Sequence, residues 1–248
     1  CDVEEPNGQL FLHPKITKRE IINTRVPRVD YQLCDFCGAC ARACRFNALA
    51  VLQKSVMIFD ELCHSCGNCL ASCPRDAISE IERPIGEVFS GHSGEVRFLQ
   101  GRLNVGEAQS PPLIREVKRR LDSDRLVILD APPGTSCPAL NSVSGADFVL
   151  MVTEPTPFGL NDLDLAVQMV RKLGLPCAVL INRADVGDDR TLRYCAEHEL
   201  EVLAQIPEDR ELAQAYARGK LAVDALPRLR PIFEQILTRV TALAGGAR

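Results

Sequence analysis

Several features that mark other classes of protein are missing from this 248-residue sequence. Charge of one sign is not in large excess, since 29 Lys and Arg residues face 33 Asp and Glu residues and the net charge is −4. The basic residues form no stripe, which argues against a nucleic-acid partner. The longest apolar runs, such as Leu126 to Leu129 and Phe148 to Val152, are far shorter than the roughly 20 residues that cross a bilayer. No secretory signal opens the chain, so we expect a soluble, cytoplasmic protein without a membrane span.

Cysteine, in contrast, is abundant, with 12 residues in the chain. A reducing cytosol disfavours disulfides, so a high cysteine content indicates metal binding or catalysis. Two runs of the form C-x2-C-x2-C-x3-C stand close together. The first begins at Cys34 and the second begins 29 residues later, at Cys63. The segment is therefore an internal repeat with expected pseudo-twofold symmetry.

Four cysteines within eleven residues are typical of [4Fe–4S] ligation, whereas zinc sites use CxxC pairs separated by a longer loop. In bacterial two-cluster ferredoxins the fourth cysteine of each run ligates the other cluster. This rule predicts two ligand sets: Cys34, Cys37, Cys40 and Cys73 for cluster one, and Cys63, Cys66, Cys69 and Cys44 for cluster two. His64 stands between ligands and is not assigned as one. The first run has Arg45 where the second has Pro74, and we expect this difference to affect local stiffness and potential more than assembly.

A different pattern follows Pro84, in which apolar runs of strand length alternate with helical segments. Ser110 is expected to be an N-cap before two prolines. The run from Arg125 to Asp130 is expected to be a buried parallel strand that delivers its carboxylate to the sheet edge. The predicted strands are residues 85–90, 95–99, 125–130, 148–153, 177–181 and 202–206, and the predicted helices are 113–121, 161–173, 188–199, 211–217 and 231–244.

This alternation predicts an α/β fold with a mostly parallel sheet covered by helices on both faces. The cysteine repeat is expected to be an inserted α+β ferredoxin domain that binds two [4Fe–4S] clusters. The predicted domain boundaries place the ferredoxin domain at residues 28–84 and the nucleotide-binding domain at residues 1–27 and 85–248.

Read in order, the motifs of the chain resemble one known family, the MinD/Mrp-type P-loop ATPases with an inserted ferredoxin domain. This family belongs to the SIMIBI-type, deviant Walker A group, which also contains the nitrogenase iron protein. The resemblance covers essentially the whole chain. The segments that carry it are residues 1–7, the doubled cysteine runs, Asp130–Pro138, Thr153–Thr156, Ile181–Asp185 and Ile206–Asp209.

The resemblance implies catalytic roles for two carboxylates. Asp2 would be a switch I residue that positions the attacking water or the Mg²⁺ shell. Asp130 would be the Walker B acid, with Gly134 in switch II. These roles imply ATP or ADP with Mg²⁺ as a ligand of the full-length protein.

The resemblance also implies an adenine site. Asn182 and Asp185 would face the base, and Pro207 would pack on its ring. It further implies a homodimer or a heterodimer with a close paralogue, and redox proteins as electron donor and acceptor.

One family motif is absent, because the phosphate loop Gly-Lys-Gly-Gly-Thr-Gly-Lys-Thr occurs nowhere in the sequence. Without that loop the chain has no amide cradle or lysine for the phosphates. Two explanations stay open: the chain is a piece of a longer gene product, which we favour, or it has lost ATP hydrolysis. In either case, this chain alone is not expected to hydrolyse ATP.

Three functions stay open at this stage. The leading hypothesis is ATP-gated electron transfer through two [4Fe–4S] clusters. The alternatives are an iron–sulfur cluster carrier or assembly ATPase, and a non-hydrolysing ferredoxin subunit of a redox complex. Cys137 is expected to be a buried free thiol or, alternatively, a metal ligand at a dimer interface, while Cys177 and Cys195 are expected to be core thiols.

Overall fold

The computed structural model describes residues 1–122 and 124–245. In these ranges the strands are β1 (Lys15–Val29), β2 (Leu49–Leu52), β3 (Ser55–Ile58), β4 (Ile78–Ser93), β5 (Val96–Leu103), β6 (Val149–Thr153), β7 (Cys177–Asn182) and β8 (Val202–Ile206). The helices are α1 (Gly8–Leu12), α2 (Ala39–Ala43), α3 (Asn68–Ala71), α4 (Pro111–Lys118), α5 (Cys137–Val143), α6 (Pro157–Lys172), α7 (Arg190–Glu197), α8 (Arg210–Ala217), α9 (Ala222–Ala225) and α10 (Arg230–Gly245).

The chain folds into two compact units. The first contains residues 1–6 and 14–127, and the second contains residues 7–13 and the chain from Ile128 onward. The first unit holds the cysteine repeat together with β1, which leads into it, and β4, which leads out of it. These two long strands pair with each other along their length. The sequence-based boundaries at residues 28 and 84 stay a prediction.

The first unit is built on an antiparallel sheet with the order β1-β4-β5. One face of this sheet packs on α4, whose Leu113, Ile114 and Val117 are buried. Val3 is also buried in this core, and its carbonyl oxygen accepts a 2.8 Å hydrogen bond from the amide of Leu103. The N-terminal residues are thereby part of the first unit.

Ser110 stands at the N-cap position of α4, as predicted, but its side chain does not cap the helix. The hydroxyl instead donates a 2.7 Å hydrogen bond to Glu4 Oε1. Pro111 and Pro112 occupy the first turn, where a missing amide hydrogen carries no cost. This serine links α4 to the N-terminal segment.

The second unit contains a parallel sheet with the order β6-β7-β8, which confirms the predicted α/β class. The central strand β7 is buried on both faces: Val179 and Ile181 pack against α6 and α7, while Leu180 packs with Ile236 of α10. Burial on both faces explains why β7 is a continuous apolar run rather than an alternating one.

The predicted strand from Arg125 to Asp130 is wrong. Residues 126–130 are irregular, and the side chains of Leu126 and Ile128 are 63% and 82% exposed. Among the described residues, no strand pairs with this segment. An isolated strand has no partner for its backbone hydrogen bonds, so apolar sequence alone does not hold it extended.

No helix in the described parts of the chain combines the length and the apolar character that crossing a membrane requires.

Tyr194 on α7 provides a pH test of packing in the second unit. Its hydroxyl donates a 2.8 Å hydrogen bond to Asp164 Oδ1 on α6, and burial, reinforced by that carboxylate, raises its pKa well above the ordinary value. A raised folded-state pKa stabilises the fold fully below about pH 10, and this contribution is lost as the pH rises through the folded value. In ¹³C NMR of tyrosine-labelled protein, we expect the Tyr194 ring to keep its protonated chemical shift above pH 10 until the chain unfolds. Tyr194→Phe assigns the signal, and ionisation near pH 10 in the folded protein would contradict the packing.

Candidate metal centre

The two cysteine runs have matching backbone conformations. Each run passes through the left-handed region at three corresponding positions, where a tight turn redirects the chain around the thiols. These positions are Phe36 and Ser65 (φ 59° and 52°), Gly38 and Gly67 (77° and 72°), and Asn47 and Asp76 (54° and 49°). Each pair is offset by 29 residues, like the cysteines, so the repeat of the sequence is also a repeat of the fold.

The two halves exchange equivalent hydrogen bonds. The amide of Asp30 donates to the carbonyl oxygen of Ala77 (2.8 Å), and the amide of Phe59 donates to that of Ala48 (2.9 Å). These bonds continue the β1–β4 pairing and the β2–β3 hairpin respectively. Because each bond joins one half to the other, the chain that follows each run lies against the chain that precedes the opposite run.

This crossed arrangement creates two cavities. Cavity one is lined by four thiols, those of Cys34, Cys37, Cys40 and Cys73. Cavity two is lined by the thiols of Cys63, Cys66, Cys69 and Cys44. The structure therefore groups the cysteines in the two sets that the crossed-ligand rule predicts.

Backbone amides point at several of the sulfur atoms. Ala48 N lies 3.3 Å from Cys44 Sγ, and Ala77 N lies 3.3 Å from Cys73 Sγ at the corresponding position. Ser65 N lies 3.5 Å from Cys63 Sγ. Amides in this orientation stabilise a thiolate and the negative charge of a bound cluster.

Burial acts in the opposite direction on three of the thiols. It raises the pKa of Cys40, Cys63 and Cys69 above the ordinary cysteine value. A thiol with a raised pKa stays protonated at neutral pH unless a metal displaces the proton. Ligation by these residues would therefore release protons.

Two contacts outside the runs position the second cysteine loop. Arg28 forms a bidentate ion pair with Asp60, with Nη1–Oδ1 and Nη2–Oδ2 distances of 2.8 and 2.7 Å. The hydrogen bond from Arg28 holds the pKa of the Asp60 carboxyl below its usual range. Gln109 Nε2 donates to the carbonyl oxygen of Cys63 (3.1 Å). Sequence reasoning missed these residues, because a single Arg, Asp or Gln outside a motif carries no spacing signal.

The cavities differ in the side chains that flank them. At cavity one, Arg75 Nε donates to Asp35 Oδ2 (2.8 Å). The corresponding residues at cavity two are Phe46 and His64, whose rings stack with centroids 3.6 Å apart. An ion pair at one cavity is thus replaced by an aromatic pair at the other.

Within residues 1–122 and 124–245, no three His, Cys, Asp or Glu side chains are placed to hold a single metal ion.

The predicted adenine residues lie together at the carboxyl end of the parallel sheet. Asn182 ends β7 opposite Ile206 of β8, and Pro207 follows directly. Asp185 Oδ1 accepts a 2.6 Å hydrogen bond from the amide of Glu208, which holds the two loops together. This edge is where ligands bind in open parallel sheets.

Arg183 is a further residue of this edge that the sequence did not single out. Its guanidinium contacts Glu154 Oε2 (3.3 Å) after β6 and Glu208 Oε1 (3.4 Å) after β8. Its backbone is left-handed, with φ 51°. Arg183 thereby ties together the loops that follow three neighbouring strands.

The other predicted nucleotide residues lie elsewhere. Asp130 is exposed in the irregular segment before α5, and Gly134 is exposed with φ 82°. Asp2 belongs to the first compact unit, where its carboxylate accepts hydrogen bonds from the amides of Glu4 (3.3 Å) and Glu5 (3.2 Å). The structure therefore places Asp2 in a different unit from Asp130.

The cysteines outside the two runs differ in their exposure to solvent. Cys195 is buried in the core of the second unit, and Cys177 packs against the same core. Cys137 is exposed at the start of α5, so the expectation of a buried thiol is wrong. Its helix begins at the surface, and Pro138 is only partly covered.

Comparison with known proteins identifies the cysteine repeat. Residues 33–77 match the family model of the 4Fe-4S dicluster domain. The chain is also 26% identical over 145 residues to the septum site-determining protein MinD of Bacillus subtilis, which covers 55% of the chain and 53% of MinD. The chain is thus similar to MinD in part of its length, and its residues 33–77 match the 4Fe–4S dicluster domain. This confirms the sequence-based resemblance to MinD-type P-loop ATPases with a ferredoxin domain.

Two proteins of Methanocaldococcus jannaschii also match the chain. MJ0578 of Methanocaldococcus jannaschii is 27% identical over 243 residues, which are 97% of this chain and 83% of MJ0578. MJ0579 of the same organism is 28% identical over 141 residues, 56% of this chain and 49% of MJ0579. The chain thus spans about half the length of MJ0579 and of MinD. Among solved structures, the MinD cell division protein of Aquifex aeolicus matches with a TM-score of 0.42 and 17% identity, over 55% of this chain and 62% of that one.

Proposed function

We propose that this iron–sulfur protein transfers electrons to a redox partner through two [4Fe–4S] clusters, and that ATP binding by the gene product that contains it gates the transfer. The observation that carries the proposal is the division of eight thiols into two sets of four around two cavities. Each set takes three cysteines from one run and the fourth from the other, which is the ligand arrangement of two-cluster ferredoxins.

The residues of each cavity fit such a cluster. Four thiols complete the ligation of a [4Fe–4S] cluster, and amides such as Ala48 N and Ala77 N are placed to stabilise the charge on sulfur. When bound, each cluster would supply a one-electron carrier. A cluster with four cysteine ligands has no open coordination position, so electron transfer suits it better than substrate catalysis.

The nucleotide part of the proposal rests on the MinD-like similarity and on the sheet edge. Asn182, Asp185 and Pro207 would form the adenine side, with Asp2 and Asp130 as catalytic carboxylates and Gly134 near the terminal phosphate. The hydrogen bond from Glu208 N to Asp185 supports this placement, because it fixes two of the loops that would contact the base. A homodimer or a heterodimer with a close paralogue is the expected assembly, and redox proteins are its expected partners.

The test is anaerobic reduction of the gene product that contains this chain, followed by EPR and potentiometry with and without Mg-ATP. We expect two cubane signals, and a nucleotide-dependent change in their potentials or in the rate of electron transfer to an acceptor. Two cubane signals whose potentials and transfer rate do not change with Mg-ATP would refute gating. The ferredoxin module would then be a passive electron relay. Failure to reconstitute any cubane would refute the ligand assignment itself.

A second candidate function is cluster transfer or assembly, and the exposure of Cys137 favours it. A carrier must present an accessible thiol to hold and release a labile cluster. In an anaerobic transfer assay to an apo-ferredoxin, a carrier would lose activity in Cys137→Ser while the other clusters stay in place. Equal cluster transfer by the unmodified protein and by Cys137→Ser would exclude this role for Cys137.

A further inference from the structure

The two cavities correspond position by position under the 29-residue offset, so their differences can be read directly. One difference concerns charge. The position that Val51 occupies on β2 at cavity one is occupied by Glu80 on β4 at cavity two. A carboxylate therefore lines one cavity where an isopropyl group lines the other.

The counter-charge of Glu80 is exposed and only loosely paired with the carboxylate. The side chain of Glu80 is 21% exposed, whereas its partner Arg25 is 73% exposed and stands 3.8 Å away. The carboxylate at cavity one, Asp35, is instead paired with Arg75 at 2.8 Å. The Arg75 side chain is also exposed, at 60%, but its contact is shorter, 2.8 Å against 3.8 Å, so Arg75 neutralises Asp35 more completely than Arg25 neutralises Glu80.

A second contact increases the difference. Arg42 Nη1 donates a 2.9 Å hydrogen bond to the carbonyl oxygen of Cys37, which brings a positive charge to the rim of cavity one. The corresponding residue of the other run is Ala71. Near cavity two, the carboxylate of Asp60 is matched by the bidentate contact with Arg28, so this pair adds little net charge.

We propose that Glu80 sets the order of the two reduction potentials by making cluster two the harder one to reduce. This inference rests on the proposed function, since it requires a cluster in each cavity. Reduction adds one negative charge to a cluster, and a nearby carboxylate opposes that charge. An electron that enters the module therefore resides on cluster one.

The redistribution is a one-electron exchange. With a cluster held by each set of thiols, Glu80 would favour the passage of one electron from the cluster of cavity two to that of cavity one, and no bond would form or break. A one-electron donor protein supplies the electron, and an acceptor protein removes it from cluster one. The direction through the module would thus run from the side of Glu80 to the side of Val51.

The first variant is Glu80→Gln, which keeps the size of the side chain and removes its charge. In EPR-monitored potentiometry of the whole chain with both clusters, we expect two one-electron transitions in the unmodified protein. The variant should raise the lower midpoint and leave the upper one in place, changing the electron distribution between the clusters by about tenfold, or about 59 mV. No shift, or a shift of the upper midpoint alone, would overturn the proposal.

The matched variant is Val51→Glu, which places the same charge at the corresponding position of cavity one. We expect it to lower the upper midpoint by a similar amount and to leave the lower midpoint in place. If Glu80→Gln fails to hold a cluster, Val51→Glu still tests the proposal. An unchanged upper midpoint in Val51→Glu would refute the electrostatic argument. Iron and sulfide analysis of the unmodified chain separates the two proposals: a chain without two clusters contradicts the proposed function, whereas two clusters with unshifted midpoints contradict only the role of Glu80.

Discussion

Cys44→Ala is expected to halve the iron and sulfide content of the reconstituted chain, from about eight to about four atoms of each. The thiol of Cys44 lines cavity two together with Cys63, although it belongs to the first cysteine run. The cluster that is lost should therefore be the one held by the second run. Cys195→Ala is the control, because this thiol is buried in the core of the second unit and lies outside both cavities.

Double variants determine which cluster each cysteine holds. If ligation is crossed, Cys44→Ala combined with Cys63→Ala removes one cluster only, because both residues line cavity two. Cys44→Ala combined with Cys34→Ala removes both clusters. The opposite result, with half the iron retained by the second double variant, would show that each run holds its own cluster.

Gly187→Ala is expected to reduce the free energy of unfolding of the second unit by about 1–3 kcal/mol, the usual cost of overpacking. A Cβ at this position would overlap the carbonyl oxygen of Pro155, which is backbone and cannot move aside as a side chain can. The two residues lie in the loops after β7 and β6, next to the predicted adenine residues. The substitution should therefore displace this edge of the sheet.

Chemical denaturation followed by circular dichroism measures the effect. The matched control is Gly245→Ala, since an added Cβ there meets no atom within 4 Å. We expect the control to unfold at or slightly above the midpoint of the unmodified chain, because alanine favours a helix more than glycine does. Equal midpoints for the two variants would show that the approach of Gly187 to Pro155 is not close in solution.

Much of the metal centre was predictable from spacing alone. A repeat of four cysteines constrains the backbone strongly, because three thiols separated by two residues must turn around one centre. The left-handed backbone at Gly38 and Gly67 is a direct result of this constraint. The strands β6, β7 and β8 were predictable for a similar reason, since strands buried on both faces must be apolar throughout.

The segment from Leu126 to Asp130 shows where the same reasoning failed. Its composition is that of a buried strand, yet a strand also requires a hydrogen-bonding neighbour, and none is present among the described residues. The hydroxyl of Ser110 is a smaller example. Whether it caps α4 or bonds to Glu4 depends on a residue more than a hundred positions away.

The sequence by itself determined the spacing of the eight thiols, the repeat that relates them and the apolar strands of the parallel sheet, because each of these depends on regular spacing along the chain. Tertiary structure alone decided which charges face each cavity. Val51 and Glu80 line the two cavities only after β2 and β4 pair with their neighbours, and Arg183 reaches Glu154 and Glu208 only when three strands align. Electrostatic effects depend on distances through space, and these distances are set by strand pairing and packing rather than by spacing along the chain.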